Sequence, residues 1–165
     1  MNGPILSIIT VNFNNNLGLL KTLESVSSQS FSSYEHIIID AGSTDGSRET
    51  IIQYEKENPH LSFWSSEPDK GIYDGMNKGI DHAKGQYLYF LNSGDCLSQD
   101  ILAKIPFDGT EYLYGDTILF YKRKTKKRVY PDTLDLIYLS DNSLHHQSCF
   151  IHHTLFKDKR YDINY

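Results

Sequence analysis

No apolar run in the chain approaches the ~18 residues a membrane-spanning helix requires, so the expectation is a soluble protein, or one held at a membrane surface. The two cysteines, Cys96 and Cys149, stand far apart without CxxC spacing. That excludes a disulfide scaffold and a cysteine zinc site, and it suits a reducing compartment. No secretory leader pattern precedes the first strand-like run. Glycines of the GxGxxG type are missing where the first strand meets the first helix, at Asn12-Phe13-Asn14-Asn15-Asn16-Leu17-Gly18, and no Walker A sequence occurs. Without them a pyrophosphate has no cradle at that helix, which leaves a nicotinamide-dependent oxidoreductase as a remote alternative. A basic excess is lacking as well: the net charge of −5 argues against general nucleic-acid binding. Internal repeats and low-complexity linkers are absent, so residues 1–165 are expected to form one domain.

What is present is aromatic and unevenly charged. The 12 tyrosines and 8 phenylalanines among 165 residues are enough for a substantial core. Six of the 16 basic residues fall in Lys122-Arg123-Lys124-Thr125-Lys126-Lys127-Arg128, a run without an acid. Two readings of it stand. It is a basic knob suited to anionic lipid headgroups, or a solvated hairpin tip whose charges discourage edge pairing of sheets.

Apolar patterning predicts β-α-β-α-β-α-β over the first 91 residues. Strands are expected at Leu6–Phe13, Glu35–Asp40, Leu61–Ser65 and Tyr87–Leu91. Helices are expected from Leu19 to Val26, from Arg48 to Glu57, and around a face of Ile72, Met76, Ile80 and Ala83 that Gly85 ends. Alternation of this kind implies an α/β fold with a mostly parallel sheet. Downstream, a helix is expected over Leu97–Ile105, with strands at Glu111–Gly115 and Thr117–Tyr121. A return strand follows at Arg128–Tyr130, then a helix over Thr133–Leu139, a strand at His146–Ile151 and a short helix at His153–Lys157.

The stretch most suggestive of chemistry is Tyr87-Leu88-Tyr89-Phe90-Leu91-Asn92-Ser93-Gly94-Asp95. A buried strand stops at a turn cluster that sets a carboxylate just past its C-terminal end, where open α/β sheets bind ligands. Asp40 and Asp69 follow two earlier strands in the same manner. The ends of strands 1, 2 and 4 gather on one edge of a parallel sheet, so Asn12, Asp40 and Asp95 are candidates to converge on one ligand.

Four ordered motifs then carry a resemblance. Val11-Asn12-Phe13-Asn14, Ile39-Asp40-Ala41-Gly42-Ser43-Thr44-Asp45-Gly46-Ser47, Glu67-Pro68-Asp69-Lys70-Gly71-Ile72-Tyr73-Asp74-Gly75-Met76-Asn77-Lys78-Gly79 and Leu91-Asn92-Ser93-Gly94-Asp95 resemble the family 2 glycosyltransferases. These are inverting, nucleotide-sugar-dependent enzymes of the GT-A fold, and the branch most similar builds bacterial surface polysaccharides. The likeness covers roughly residues 5–100, and Leu144–Ile151 is similar to that branch's His-Gln segment. The resemblance implies a nucleotide-sugar-binding half at 1–97 and an acceptor-side half at 98–165. Val11 and Asn12 would line the base pocket and Asp40 would bind the nucleobase, usually uracil. Asp69, Lys70, Asn92 and Ser93 complete the nucleotide-binding set. Asp95 matches the last aspartate of a DxD-type motif that holds Mg²⁺ or Mn²⁺ against the diphosphate, while His146 and Gln147 would face the acceptor or the diphosphate, the acceptor side being the expectation.

Two departures from the family pattern matter. Asn92 and Gly94 stand where acids are common, leaving one carboxylate, which with phosphate oxygens and water can still hold Mg²⁺. The family's catalytic base is expected beyond Tyr165, because Arg160–Tyr165 is similar to the stretch that precedes it. The chain is therefore expected to be a fragment, the alternative being a complete small variant. Its partners would be a UDP-sugar donor and a saccharide or lipid-linked saccharide acceptor, in the cytoplasm or at the inner face of the plasma membrane. A catalytically silent nucleotide-binding module is the other reading.

Overall fold

A computed structural model describes residues 3–122 and 124–164. Eight strands and four helices follow in the order β1 (Leu6–Asn12), α1 (Asn16–Ser27), β2 (Tyr34–Asp40), α2 (Ser47–Glu57), β3 (Leu61–Ser66), α3 (Ile72–His82), β4 (Tyr87–Phe90), β5 (Tyr112–Tyr114), β6 (Thr117–Tyr121), β7 (Lys124–Arg128), α4 (Leu136–Asp141) and β8 (Cys149–His152). Six of the strands form one sheet in the order β3-β2-β1-β4-β8-β5. The first four are mutually parallel, and β8 runs antiparallel between β4 and β5. This is the expected α/β architecture with a mixed C-terminal part.

The chain builds outward from β1 to β3 and then returns, so β4 pairs on the other side of β1. The strand order reverses there, and a crevice opens at the carboxyl ends of β1 and β4. Both faces of the sheet are covered. Leu19, Leu23, Ile51 and Tyr54 of α1 and α2 pack with Ile38, while Met76 and Ile80 of α3 pack with Ile9, Val11, Ile37 and Phe90. Helix α3 lies close on the sheet through Gly75 and Gly79. A Cβ at those positions would stand 2.7 Å from Val11 Cγ1 and 2.4 Å from Ile9 Cγ2.

Strands β1 and β2 are buried along their whole length, polar residues included. Within the strands the buried polar side chains of Ser7, Thr10, Glu35 and His36 are paired with one another or with a helix, as burial demands. Ser7 Oγ donates to Glu35 (2.6 Å), and the His36 ring bridges the Thr10 hydroxyl (2.9 Å) and the Tyr54 hydroxyl (3.0 Å).

Downstream of β4 the structure corrects several expectations. Residues Leu97–Ile105 hold only a 3-10 turn at Leu102–Lys104. Gln29 bonds the Gln99 carbonyl and the Leu102 amide, Asp100 accepts from the Ser30 amide and hydroxyl, and Gln99 has φ +49°. These tertiary bonds displace the helical ladder. The basic run is not a turn before a return strand; most of it is β7 itself, paired with β6 in a separate hairpin, and Arg123 lies outside the described residues. Helix α4 starts at Leu136 rather than Thr133, because Asp135 caps it by accepting from the Tyr138 amide (2.7 Å). His146–Ser148 form a 3-10 turn, and only Cys149–His152 are strand. Ile72 is not core: it is 48% exposed at the start of α3.

Burial of His36 has a measurable consequence. Desolvation pushes its pKa from 6.5 down to about 3. Between those values the unfolded chain carries a proton that the native protein excludes. The contribution is therefore complete above pH 6.5 and is lost as the pH falls toward 3, by up to about 1.4 kcal/mol per pH unit. Urea denaturation from pH 7 to pH 4 should show this decline, and His36→Gln should flatten it. An identical slope in the variant would contradict the assignment.

Candidate active site

At the carboxyl edge of the sheet lies a cleft of about 710 Å³. Val11 and Asn12 from the end of β1, Asp69 from the turn before α3, and Asn92 and Ser93 from the turn after β4 all line it. Five of the nucleotide-binding candidates are thus brought together. Lys70 is exposed and absent from the lining; its amide donates to Asp74 (3.0 Å).

Asp40 lies beneath the cleft rather than on it, with no solvent exposure. Four donors from three segments surround its carboxylate. Asn12 Nδ2 (2.7 Å) and Ser43 Oγ (2.5 Å) donate to Oδ1, and the Ser43 amide (2.9 Å) and Ser66 Oγ (2.6 Å) to Oδ2. Burial alone would raise its pKa, but the hydrogen bonds from Ser43, Ser66 and Asn12 outweigh it and hold the carboxyl below its ordinary value.

An ionised carboxylate only accepts, so the Asn12 amide must turn its NH₂ toward Asp40. Its Oδ1 is left buried and without a partner. Asp69 Oδ2 and Asn92 Oδ1 are in the same condition, the other Asp69 oxygen accepting from the Gly71 amide (2.8 Å). An unpaired buried acceptor costs about 1–3 kcal/mol. Three of them on residues around one cleft suit a ligand rich in N–H and O–H donors.

The loop carrying Asp95 is tied to α1 from behind. Asn15 Nδ2 donates to the Ser93 carbonyl (2.9 Å), and Thr22 Oγ1 donates to the Asp95 carbonyl (2.8 Å) while accepting from the Gly94 amide (2.9 Å). Asp95 itself is half-buried beyond the Asn92–Ser93 rim, on the same sheet edge as Asp40 but outside the cleft lining. The expected acceptor-side pair reaches this loop directly. Gln147 Nε2 donates to Asp95 Oδ2 (3.0 Å), and His146 Nε2 lies 3.1 Å from Asn92 Nδ2. Burial lowers the His146 pKa, with the Asp95 charge opposing in part, so the ring is neutral at pH 7.

Among the described residues, no three His, Cys, Asp or Glu side chains gather into a metal cage. Asp95 Oδ1 nonetheless has no protein partner among them. A hard divalent ion takes six or more oxygens, so this loop fits one that draws most of its ligands from a bound diphosphate and water.

Several lining residues had no individual signal. Phe13, 62% exposed, and Ile72 give the cleft apolar walls, joined by Ala41, Gly42 and Pro68. A lone aromatic inside an asparagine-rich turn was the one available hint.

A family model described as "Glycosyl transferase family 2" matches residues 7–154. An uncharacterized glycosyltransferase of Mycobacterium tuberculosis is 43% identical over 103 residues, 61% of this chain and 38% of that protein. The putative teichuronic acid biosynthesis glycosyltransferase TuaG of Bacillus subtilis is 37% identical over 101 residues, 61% of this chain and 40% of that protein. The chain thus spans about two-fifths of the length of these curated relatives. In fold it is similar to the mannosyltransferase PcManGT of Pyrobaculum calidifontis, solved with GDP-Man and Mn²⁺ (TM-score 0.56, 18% identity, 61% of this chain and 30% of that one). S. aureus TarS 1–349, solved with UDP, is similar too (TM-score 0.55, 22% identity, 60% of this chain and 30% of that one).

The carboxylate under the cleft yields a stability prediction. Asp40→Asn should cost about 2 kcal/mol at pH 7, because four donors lose a charged acceptor. The native pKa is depressed, so the wild-type advantage should persist above pH 3.8 and disappear as the pH falls below it. Chemical denaturation of both proteins at pH 7 and pH 3 checks this; an equal difference at both would contradict it.

Proposed function

Since the chain belongs to glycosyl transferase family 2, we propose that its cleft binds the nucleotide of a sugar donor, a UDP-sugar, and that the sugar passes with inversion to an acceptor hydroxyl. The observation that carries this is the set of three unpaired buried oxygens, on Asn12, Asp69 and Asn92, around a 710 Å³ cleft at the strand-order reversal. Uracil presents an imide N–H and ribose two hydroxyls, the donors such oxygens lack. Asn12 takes the base, with Val11 and Phe13 as apolar walls. Asp40 acts on the base through Asn12, or directly if the imide N–H replaces the Ser66 or Ser43 hydroxyl. Asp69 and the Lys70 turn take the ribose side, and Asn92 and Ser93 lie against the diphosphate.

Asp95 would hold Mg²⁺ or Mn²⁺ there, and such an ion neutralises charge that builds on the departing diphosphate. The acceptor oxygen attacks the anomeric carbon in line, its proton going to a general base. On this reading residues 1–97 bind the donor and 98–165 begin the acceptor side, with the base beyond Tyr165. PcManGT was solved with GDP-Man and Mn²⁺ and TarS with UDP, which supports a nucleotide-sugar donor and a divalent ion, TarS alone supporting uracil as the base. TuaG supports a surface polysaccharide as the product class. The unpaired cysteines suit the cytoplasm. The hairpin, with Lys124 and Lys126 on the same face as a 57% exposed Tyr121, suits contact with the anionic membrane that holds a lipid-linked acceptor.

Calorimetry on the full-length protein should show UDP binding that Mn²⁺ strengthens. Asp95→Ala should lower turnover on the order of 100-fold while changing metal-free UDP affinity little. Full metal-dependent turnover by that variant would sink the assignment of Asp95, and binding without transfer by the wild type would mark a silent module.

A further inference from the structure

The 3-10 turn at His146–Ser148 is held on several sides. Tyr89, buried in β4, donates its hydroxyl to the Gln147 carbonyl (2.8 Å). The His145 amide donates to the Tyr130 hydroxyl (3.0 Å), and the Ser148 amide and hydroxyl both return to the His145 carbonyl (3.0 and 2.9 Å). Beyond the turn, β8 pairs with β4 in the register Tyr89↔Phe150 and Leu88↔Ile151. The Gln147 backbone therefore has a fixed place beside the end of β4, and its side chain reaches Asp95 across 52 residues of sequence.

The chemistry of this contact is one-directional. Asp95 can only accept, so the Gln147 amide must present its NH₂ to Oδ2, which leaves Oδ1 as the carboxylate oxygen without a protein partner. Thr22 and Asn15 hold the loop backbone from the opposite side. The loop has no second acid, Asn92 and Gly94 standing in the other positions. With a single carboxylate, the direction in which its free oxygen points decides how well an ion can bridge protein and diphosphate.

We propose that Gln147 is a positioning residue for Asp95: its amide pins one carboxylate oxygen so that the other is offered, singly, to a divalent cation shared with the donor diphosphate. This rests on the reading of Asp95 given above and assigns Gln147 to the donor side of the reaction rather than to the acceptor. A purely architectural role, joining β8 to the loop, would leave ion binding unaffected.

The test measures UDP affinity of the full-length protein by calorimetry with and without Mn²⁺, for wild type, Gln147→Leu and Gln147→Asn. Leucine removes the amide at nearly constant volume; asparagine keeps it one methylene too short to reach. The strengthening by Mn²⁺ should fall roughly ten- to a hundred-fold in either variant, the range for a lost partner of a metal ligand, while metal-free affinity and melting temperature stay near wild type. If leucine fails to fold, asparagine alone decides. Unchanged strengthening in a folded variant overturns the role of Gln147 and leaves Asp95 standing. Absence of any Mn²⁺ effect in the wild type overturns the cation reading and this inference together.

Discussion

A fully buried carboxylate can be kept only if its charge is met by donors on every side. Asp40 satisfies that condition by drawing on the end of β1 through Asn12, on its own following turn through Ser43, and on the end of β3 through Ser66. The carboxyl ends of three neighbouring strands are thereby joined at one point. The shape of the cleft above them follows, because Asn12 is left with a single orientation and its oxygen finds no partner among the described residues. A charge that stabilises the floor also decides what the floor can recognise.

On the other side of β1 the same need is met differently. The Asp95 loop stays half-buried, and neutral groups fix it: Thr22 from α1, Asn15 capping that helix, and Gln147 from the turn before β8. One carboxylate sits under the site with its acceptor positions filled, and the other stands just beyond its rim with one oxygen open among the described residues. Two aspartates in similar turns after parallel strands reach opposite fates because their neighbours differ in number.

Much of this was legible before any coordinates. Runs such as Ile37-Ile38-Ile39 and Tyr87–Leu91 are too apolar and too short for anything but buried strands in a parallel sheet, and turn clusters after each placed the polar residues on one edge. The failures have local causes. Ile72 follows the helical spacing of Met76 and Ile80, yet it occupies the first position of α3, where the helix emerges beside the cleft. Residues 97–105 carry apolar residues a helix could use, but Gln29 takes the Gln99 carbonyl and the Leu102 amide from outside, and the Asp100 side chain is drawn to Ser30. Periodicity registers burial; it does not register a side chain from 70 residues away taking over a backbone hydrogen bond.

The α/β alternation, the edge on which the polar residues gather, and the family to which four ordered motifs point can all be read from the order of the residues. Each of these depends on spacing within a few residues, which sets the pitch of a helix or the alternation of a strand. That Asp40 lies beneath the cleft, that Lys70 stands outside it and that Gln147 reaches Asp95 follow from how distant segments pack. The first and the last depend on the register of β2 on β1 and of β8 on β4, where a shift of a single residue turns the side chains to the opposite face, and Lys70 is set by a turn that closes onto the start of α3.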